Sequence, residues 1–268
     1  MQGYDASTYG ERWAANYDQW TVTSGIAATT AAAVAGLTQL LDDIGHPSGP
    51  ALELGIGTGR VALPLADRGV AIHGIDSSPA MVERLRAKPG GQDIPVTVGD
   101  FADVAVDATF PLVFAVFNTF FALHDQGSQV RCFAAVAEHL TPGGLFVLET
   151  FVPDPARFND GQRVAVGDLD VDSAALEVSL HDPVRQQVRS HHLHLSAEGV
   201  RVLPAVIRYA WPSELDLMAQ LAGLQLRHRW GSWSRAAITA ASRVQIAVYD
   251  KPRSANANSR HPDPDSAW

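Results

Sequence analysis

From residue 50 to residue 151 the chain alternates short apolar runs with stretches of helical period. PALEL (50–54), VAIHGID (70–76), PVTVGD (95–100), FPLVFAVFN (110–118) and GGLFVLETF (143–151) read as strands. Between them lie a helix through Leu65 and Ala66, a helix with Ser78 as cap and Pro79 in its first turn, and the helix GSQVRCFAAVAEHL (127–140). Two helices precede this region, one over residues 8–20 and one over about 25–43. In the second, Ile26, Thr30, Ala33, Val34, Leu37, Leu40, Leu41 and Ile44 recur at helical spacing until Gly45.

Strand-helix alternation predicts a parallel sheet with helices on both faces and a ligand beyond the carboxyl ends of the strands. The order is then interrupted. RVAVGDL, AALEVSLH, RQQVRSHHLHLS and VRVLPAVIRYA, between residues 163 and 210, alternate apolar and polar positions and are separated by Asp182-Pro183 and Ala197-Glu198-Gly199, which predicts an antiparallel meander. A helix at 213–223 resumes the α/β pattern. LQLRHRWG (224–231) and RVQIAVYD (243–250) are joined by a link too short for a crossover helix and should pair as an antiparallel hairpin. The expected fold is therefore α/β: a doubly wound seven-stranded sheet with one reversed strand, a terminal hairpin and an inserted antiparallel β meander.

Composition narrows the partners. The net charge of −9 disfavours a surface built to grip nucleic acid. The acidic excess sits in the first 150 residues; the later part is near neutral and holds His181, His191, His192, His194 and His228, leaving room for a polar substrate. The single cysteine, Cys132, falls on an apolar helix face and reads as core. No long apolar run or basic leader suggests a membrane span or export, so a cytoplasmic protein is expected.

The glycines of ALELGIGTGR (51–60) run G-x-G-x-G, with Arg60 where a dinucleotide fingerprint places its third glycine. The spacing keeps the tight turn and the close backbone approach, and it gives up the bare backbone on which a pyrophosphate would press. With Asp76 ending the second strand, Gly99-Asp100-Phe101 ending the third, and Thr141-Pro142-Gly143-Gly144 before the fifth, the chain resembles class I S-adenosylmethionine-dependent methyltransferases. The likeness is close over 50–151 and extends to about 250. Asn16-Tyr17-Asp18 and the excursion after the fifth strand resemble the amino-sugar and glycine N-methyltransferase-like group.

The resemblance implies S-adenosyl-L-methionine as methyl donor, a small-molecule acceptor of the natural-product kind methylated on N or O, and no metal. It assigns the cofactor to Gly55, Gly57 and Gly59; to Asp76 with Ser77 on the ribose; to Met81 and Phe101 around the adenine with Asp100 on its amine; and to Glu53 and the Asn118 carbonyl near the methionine amino group. Arg60 either reaches the cofactor carboxylate or is an exposed helix-start arginine, and Tyr17 closes over the cofactor. The catalytic histidine of the sugar enzymes aligns with Ala122, so His124 is the candidate base, with Tyr17 as alternative. Competing readings are an N-cap role for Asp76, core packing for Met81 and Phe101, loop anchoring for Glu53, and Asp125-capped solvation for His124. Trp230 and Trp233 read either as the wall of an aromatic site or as packing at the hairpin bend.

The chain then divides into N-terminal helices over the cofactor site (1–45), the binding core (46–151), a meander (152–212) that roofs the acceptor and offers its other face to a second subunit, the last part of the sheet (213–250), and a disordered tail (251–268). The rival functions are a nicotinamide-linked oxidoreductase, which Arg60 and the reversed strand disfavour, and a fold relative that binds the cofactor without catalysis.

Overall fold

The computed structural model describes residues 1, 3–46 and 48–253, so most of the predicted tail lies outside the described residues. Seven strands form the main sheet: β1 (Ala51–Leu54), β2 (Ile72–Asp76), β3 (Val96–Val98), β4 (Phe110–Ala115), β5 (Leu140–Phe151), β10 (Gln225–Trp230) and β11 (Val244–Asp250). Their order is β10-β11-β5-β4-β1-β2-β3, and β11, antiparallel to both β5 and β10, is the reversed strand. The second sheet, β6 (Gln162–Leu169), β7 (Ser173–Asp182), β8 (Gln187–Ser196) and β9 (Gly199–Arg208), is a simple antiparallel meander. Both sheets agree with the sequence pattern.

The strands of the main sheet read as unbroken apolar runs because both their faces are covered. Along β5, Phe146 and Leu148 join a core shared with α6 (Gln126–His139) and α7 (Pro212–Leu221). Leu145 and Val147 point to the opposite core, shared with α3 (Ala27–Asp43) and α4 (Ala62–Ala66). Cys132 is wholly buried in the first of these. Full burial of each such Phe or Leu contributes about 1.5–3 kcal/mol, which holds the strand ends in fixed register.

The sheet order reverses between β1 and β4, each paired to the other in parallel, so the loops that leave them diverge and open a crevice. Two predicted elements end early. The helix expected over 8–20 is two, α1 (Thr8–Trp13) and α2 (Tyr17–Thr23), parted by a turn where Arg201 donates to Asn16 Oδ1 at 2.9 Å. The break buries Trp13 completely while Tyr17 and Trp20 stay at a cavity wall. β4 stops at Ala115, three residues before Asn118, because Phe117 (φ 54°) and Asn118 (φ 63°) are both left-handed. Trp233 packs on Gly36 of α3 and Trp230 lies under Arg235, so both serve the fold and neither lines the cavity.

Candidate active site

A cavity of ≈ 380 Å³, a size suited to small ligands, lies between the carboxyl ends of β1, β2 and β4 and the inner face of the meander. Its floor is the turn after β1. Gly55, Gly57 and Gly59 have φ of 69°, 55° and 80°, a region that only glycine enters freely. A Cβ on Gly55 would strike the Thr119 side chain, and one on Gly59 would strike Leu85. Gly55 and Gly57 line the cavity; Gly59 faces the packing behind it.

Asp76, at the end of β2, closes this turn. Its Oδ2 accepts the Gly57 N–H at 2.7 Å and its Oδ1 the Ser78 N–H at 2.9 Å. Burial raises its pKa, and the two backbone bonds oppose the rise by favouring the anion. The cap of α5 (Pro79–Arg86) is Ser78, whose Oγ accepts from Met81, so the N-cap reading of Asp76 does not hold. Asp76, Ser77, Met81 and Phe101 all reach the cavity. Asp100 does not: it is exposed, and its Oδ1 takes the Ala102 N–H at 2.9 Å.

Glu53 and Arg60 stand behind the wall. Glu53 is 4% exposed and its Oε2 has no partner. Burial pushes its carboxyl up to about 8, against the pull of Arg60. An orphaned acceptor under a glycine cradle fits a ligand bearing an ammonium group beside that cradle. Arg60 is neither free nor aimed at a ligand. It donates to Thr30 Oγ1 at 2.7 Å and lies 5.4 Å from the centre of the Phe117 ring, with the Tyr17 hydroxyl in reach.

Asn118 lines the cavity, although its carbonyl already accepts the Phe121 N–H at 2.8 Å and its Oδ1 the Phe151 N–H at 2.6 Å. Glu149 of β5 holds the strained pair, accepting from Phe117 N–H through Oε2 and from Asn118 N–H through its carbonyl, each at 2.9 Å. Left-handed residues of this kind cost about 1–3 kcal/mol each, and they present the Phe117 ring to the cavity.

The roof comes from the chain start and the meander. Tyr4, Tyr9, Tyr17 and Trp20 line one side. His124 is half-buried on the wall, 5.2 Å from the Tyr4 ring, and burial lowers its pKa while Asp100 and Asp125 oppose. Asp125 caps α6 through Ser128 N–H at 2.8 Å, so capping and a cavity-facing His124 coexist. Two groups in the roof are not singled out by the sequence pattern: His192, one of five histidines between residues 151 and 250, and Glu177. Each lies in a run that alternates with a period of two, and alternation does not say which face turns inward. No cluster of metal-ligating side chains occurs among the described residues, and among them no single helix is long and apolar enough to cross a membrane.

Comparisons with known proteins agree with this fold. Residues 51–144 match the family described as a methyltransferase domain. The chain is 30% identical to cypemycin N-terminal methyltransferase from a Streptomyces species over 75% of its own length and 82% of the relative's. It superposes on the CcbJ methyltransferase of Streptomyces caelestis with a TM-score of 0.82 and 38% identity, covering 93% of this chain and 100% of that one. In fold it also resembles CalS10, an amino pentose methyltransferase from Micromonospora echinaspora (TM-score 0.63, 24% identity, covering 81% and 89%).

Proposed function

We propose, from the premise that this chain belongs to the class I S-adenosylmethionine-dependent methyltransferase family, that it methylates an amine nitrogen of a small natural-product intermediate. The observation that carries this reading is the cavity itself: aromatic rings and a carboxylate, Glu177, face the glycine cradle across ≈ 380 Å³. Rings and carboxylates together favour a cation, and an amine acceptor arrives as one. The relative named as cypemycin N-terminal methyltransferase points the same way.

In this reading Gly55 and Gly57 cradle the cofactor, Asp76 and Ser77 take the ribose hydroxyls, and Met81 and Phe101 flank the adenine. Glu53 receives the methionine ammonium. When bound, S-adenosylmethionine supplies a methyl group on a sulfonium, an already activated leaving group. The chain's own work is therefore positioning, exclusion of water and removal of a proton. Tyr17 and Phe117, both cavity-lining and both in contact with Arg60, hold the acceptor's approach to that centre. Asp100, exposed and off the wall, has no adenine role here, and Arg60 acts by supporting Phe117.

The outer face of the meander, with Val164 70% and Val166 61% exposed beside Leu180 and Val202, is assigned to a second copy of the chain. The functional test is radiolabelled methyl transfer into a metabolite extract, followed by locating the methyl in the product. Label on nitrogen is expected; label on oxygen or carbon overturns the amine reading.

A further inference from the structure

Glu177 of β7 and His192 of β8 are direct cross-strand partners, and both turn into the cavity. The same rung continues to Leu203 of β9, which is buried. Glu177 is anchored by one oxygen: its Oε1 accepts from Arg163 of β6 at 3.2 Å and from Ser179 at 2.8 Å. The His192 ring is held edge-on by Trp13 of α1 at 5.0 Å and Trp20 of α2 at 5.9 Å between centroids. Of the groups that face this imidazole, Trp13, Trp20 and Leu203 are uncharged and Glu177 is the anion, with Arg163 behind it.

The fold does not need this pair inside. A strand alternates its faces, and the opposite face of the same meander is where polar residues would be solvated freely; there Val164 and Val166 stand exposed instead. A carboxylate and an imidazole turned toward an aromatic cavity, at a cost in desolvation, mark chemistry.

We infer that Glu177 and His192 receive the acceptor's ammonium group, the carboxylate holding the cation and the imidazole taking its proton, an inference that rests on the amine reading above. His192 accepts the N–H proton and the electron pair stays on nitrogen. That pair forms the N–C bond as the methyl's C–S bond breaks, the S–C pair leaving on sulfur. The imidazolium then returns its proton to water. Burial lowers the pKa of His192 and so favours the neutral ring that can accept a proton, while Glu177 opposes the fall. His124, on the wall of the same cavity, has different neighbours: Tyr4 and the Asp100 and Asp125 carboxylates.

The test uses the full chain with isotope-labelled histidine, saturated with S-adenosylhomocysteine and assigned with His192→Asn. Dimethylammonium chloride is the probe and isopropanol its uncharged isostere. The His192 resonance should move with dimethylammonium and not with isopropanol. Glu177→Gln should weaken that response at least about tenfold and lower the titration midpoint of His192. A wild-type signal indifferent to dimethylammonium, or an equal response in Glu177→Gln, overturns the pair. With the acceptor from the extract, His192→Asn should lose at least about 100-fold in turnover at unchanged S-adenosylhomocysteine affinity. A loss confined to His124→Ala overturns the assignment. Methyl found on oxygen or carbon removes the amine reading and this pair with it; methyl on nitrogen with an unmoved His192 removes the pair alone.

Discussion

The Gly57 N–H donates to the Asp76 carboxylate at 2.7 Å, so the residue that ends β2 also fixes the turn that ends β1. Asp76 lines the cavity with acceptor capacity to spare, since each carboxylate oxygen takes one backbone bond. Asp76→Ala should weaken S-adenosylhomocysteine binding by about 2–4 kcal/mol, through two lost charge-assisted bonds and a loosened turn. Calorimetry checks this; unchanged affinity in a folded variant would remove the ribose from this floor.

Glu53 carries a pH signature. Its carboxyl, pushed up to about 8 by burial, is protonated at neutral pH in the free protein. An ammonium seated against it favours the anion, so binding S-adenosylhomocysteine at neutral pH should release close to one proton. Calorimetry in buffers of different ionisation enthalpy reads that proton, and Glu53→Gln should abolish it.

The same group has a sign in unfolding. Because its folded-state value exceeds the ordinary 4.5 of a glutamate, the folded form holds a proton the unfolded chain has lost. The group's own contribution to stability is therefore full below about 4.5 and is lost as pH rises toward about 8. Denaturant titrations of the ligand-free protein over that window should show a decline that Glu53→Gln flattens.

Gly57 and Gly59 should separate under substitution. Both are left-handed, at a cost of about 1–2 kcal/mol for alanine. An added Cβ on Gly57 meets only the Gly55 carbonyl oxygen at 4.0 Å, an ordinary contact, whereas on Gly59 it strikes Leu85 and presses Leu63 at 3.2 Å. Gly59→Ala should lose a further 1–3 kcal/mol or so in denaturant unfolding. Gly57→Ala should keep more stability and lose cofactor affinity, and the reverse ranking would contradict the packing described.

If the outer meander face meets a second copy, Val164→Lys with Val166→Lys should shift sedimentation toward the monomer without disturbing S-adenosylhomocysteine binding. A wild-type protein that sediments as a monomer would dismiss that face as an interface.

Much of the architecture was legible because burial on both faces leaves strands such as Leu112–Ala115 without polar positions, and alternation marks the meander. Asp76 and the glycines were legible because spacing alone limits where a turn can bend. What escaped depends on tertiary contacts. The break between Trp13 and Tyr17 is set by where Trp13 is buried and by Arg201, far away in sequence. The end of β4 depends on Glu149 holding Phe117 and Asn118 in a region the residues themselves disfavour. Asp100 carries the right spacing and points away, because its oxygen is used within its own turn. Glu177 and His192 meet only once β7 and β8 are registered, which a period of two cannot supply.

The first stretch of chain is pinned at both ends of the cavity. Toward the floor, Glu11 accepts from Ser78 at 2.8 Å, and Asp18 accepts from Thr58 Oγ1 at 2.6 Å and from Lys88 at 2.8 Å. Toward the roof, Trp13 donates to the Pro204 carbonyl at 2.9 Å and the Tyr4 hydroxyl accepts from Val206 N–H at 3.2 Å. A clasp that spans both parts ties floor and roof together, so freeing its floor end with Asp18→Asn should also loosen the roof contacts of Trp13 and Tyr4 in hydrogen exchange.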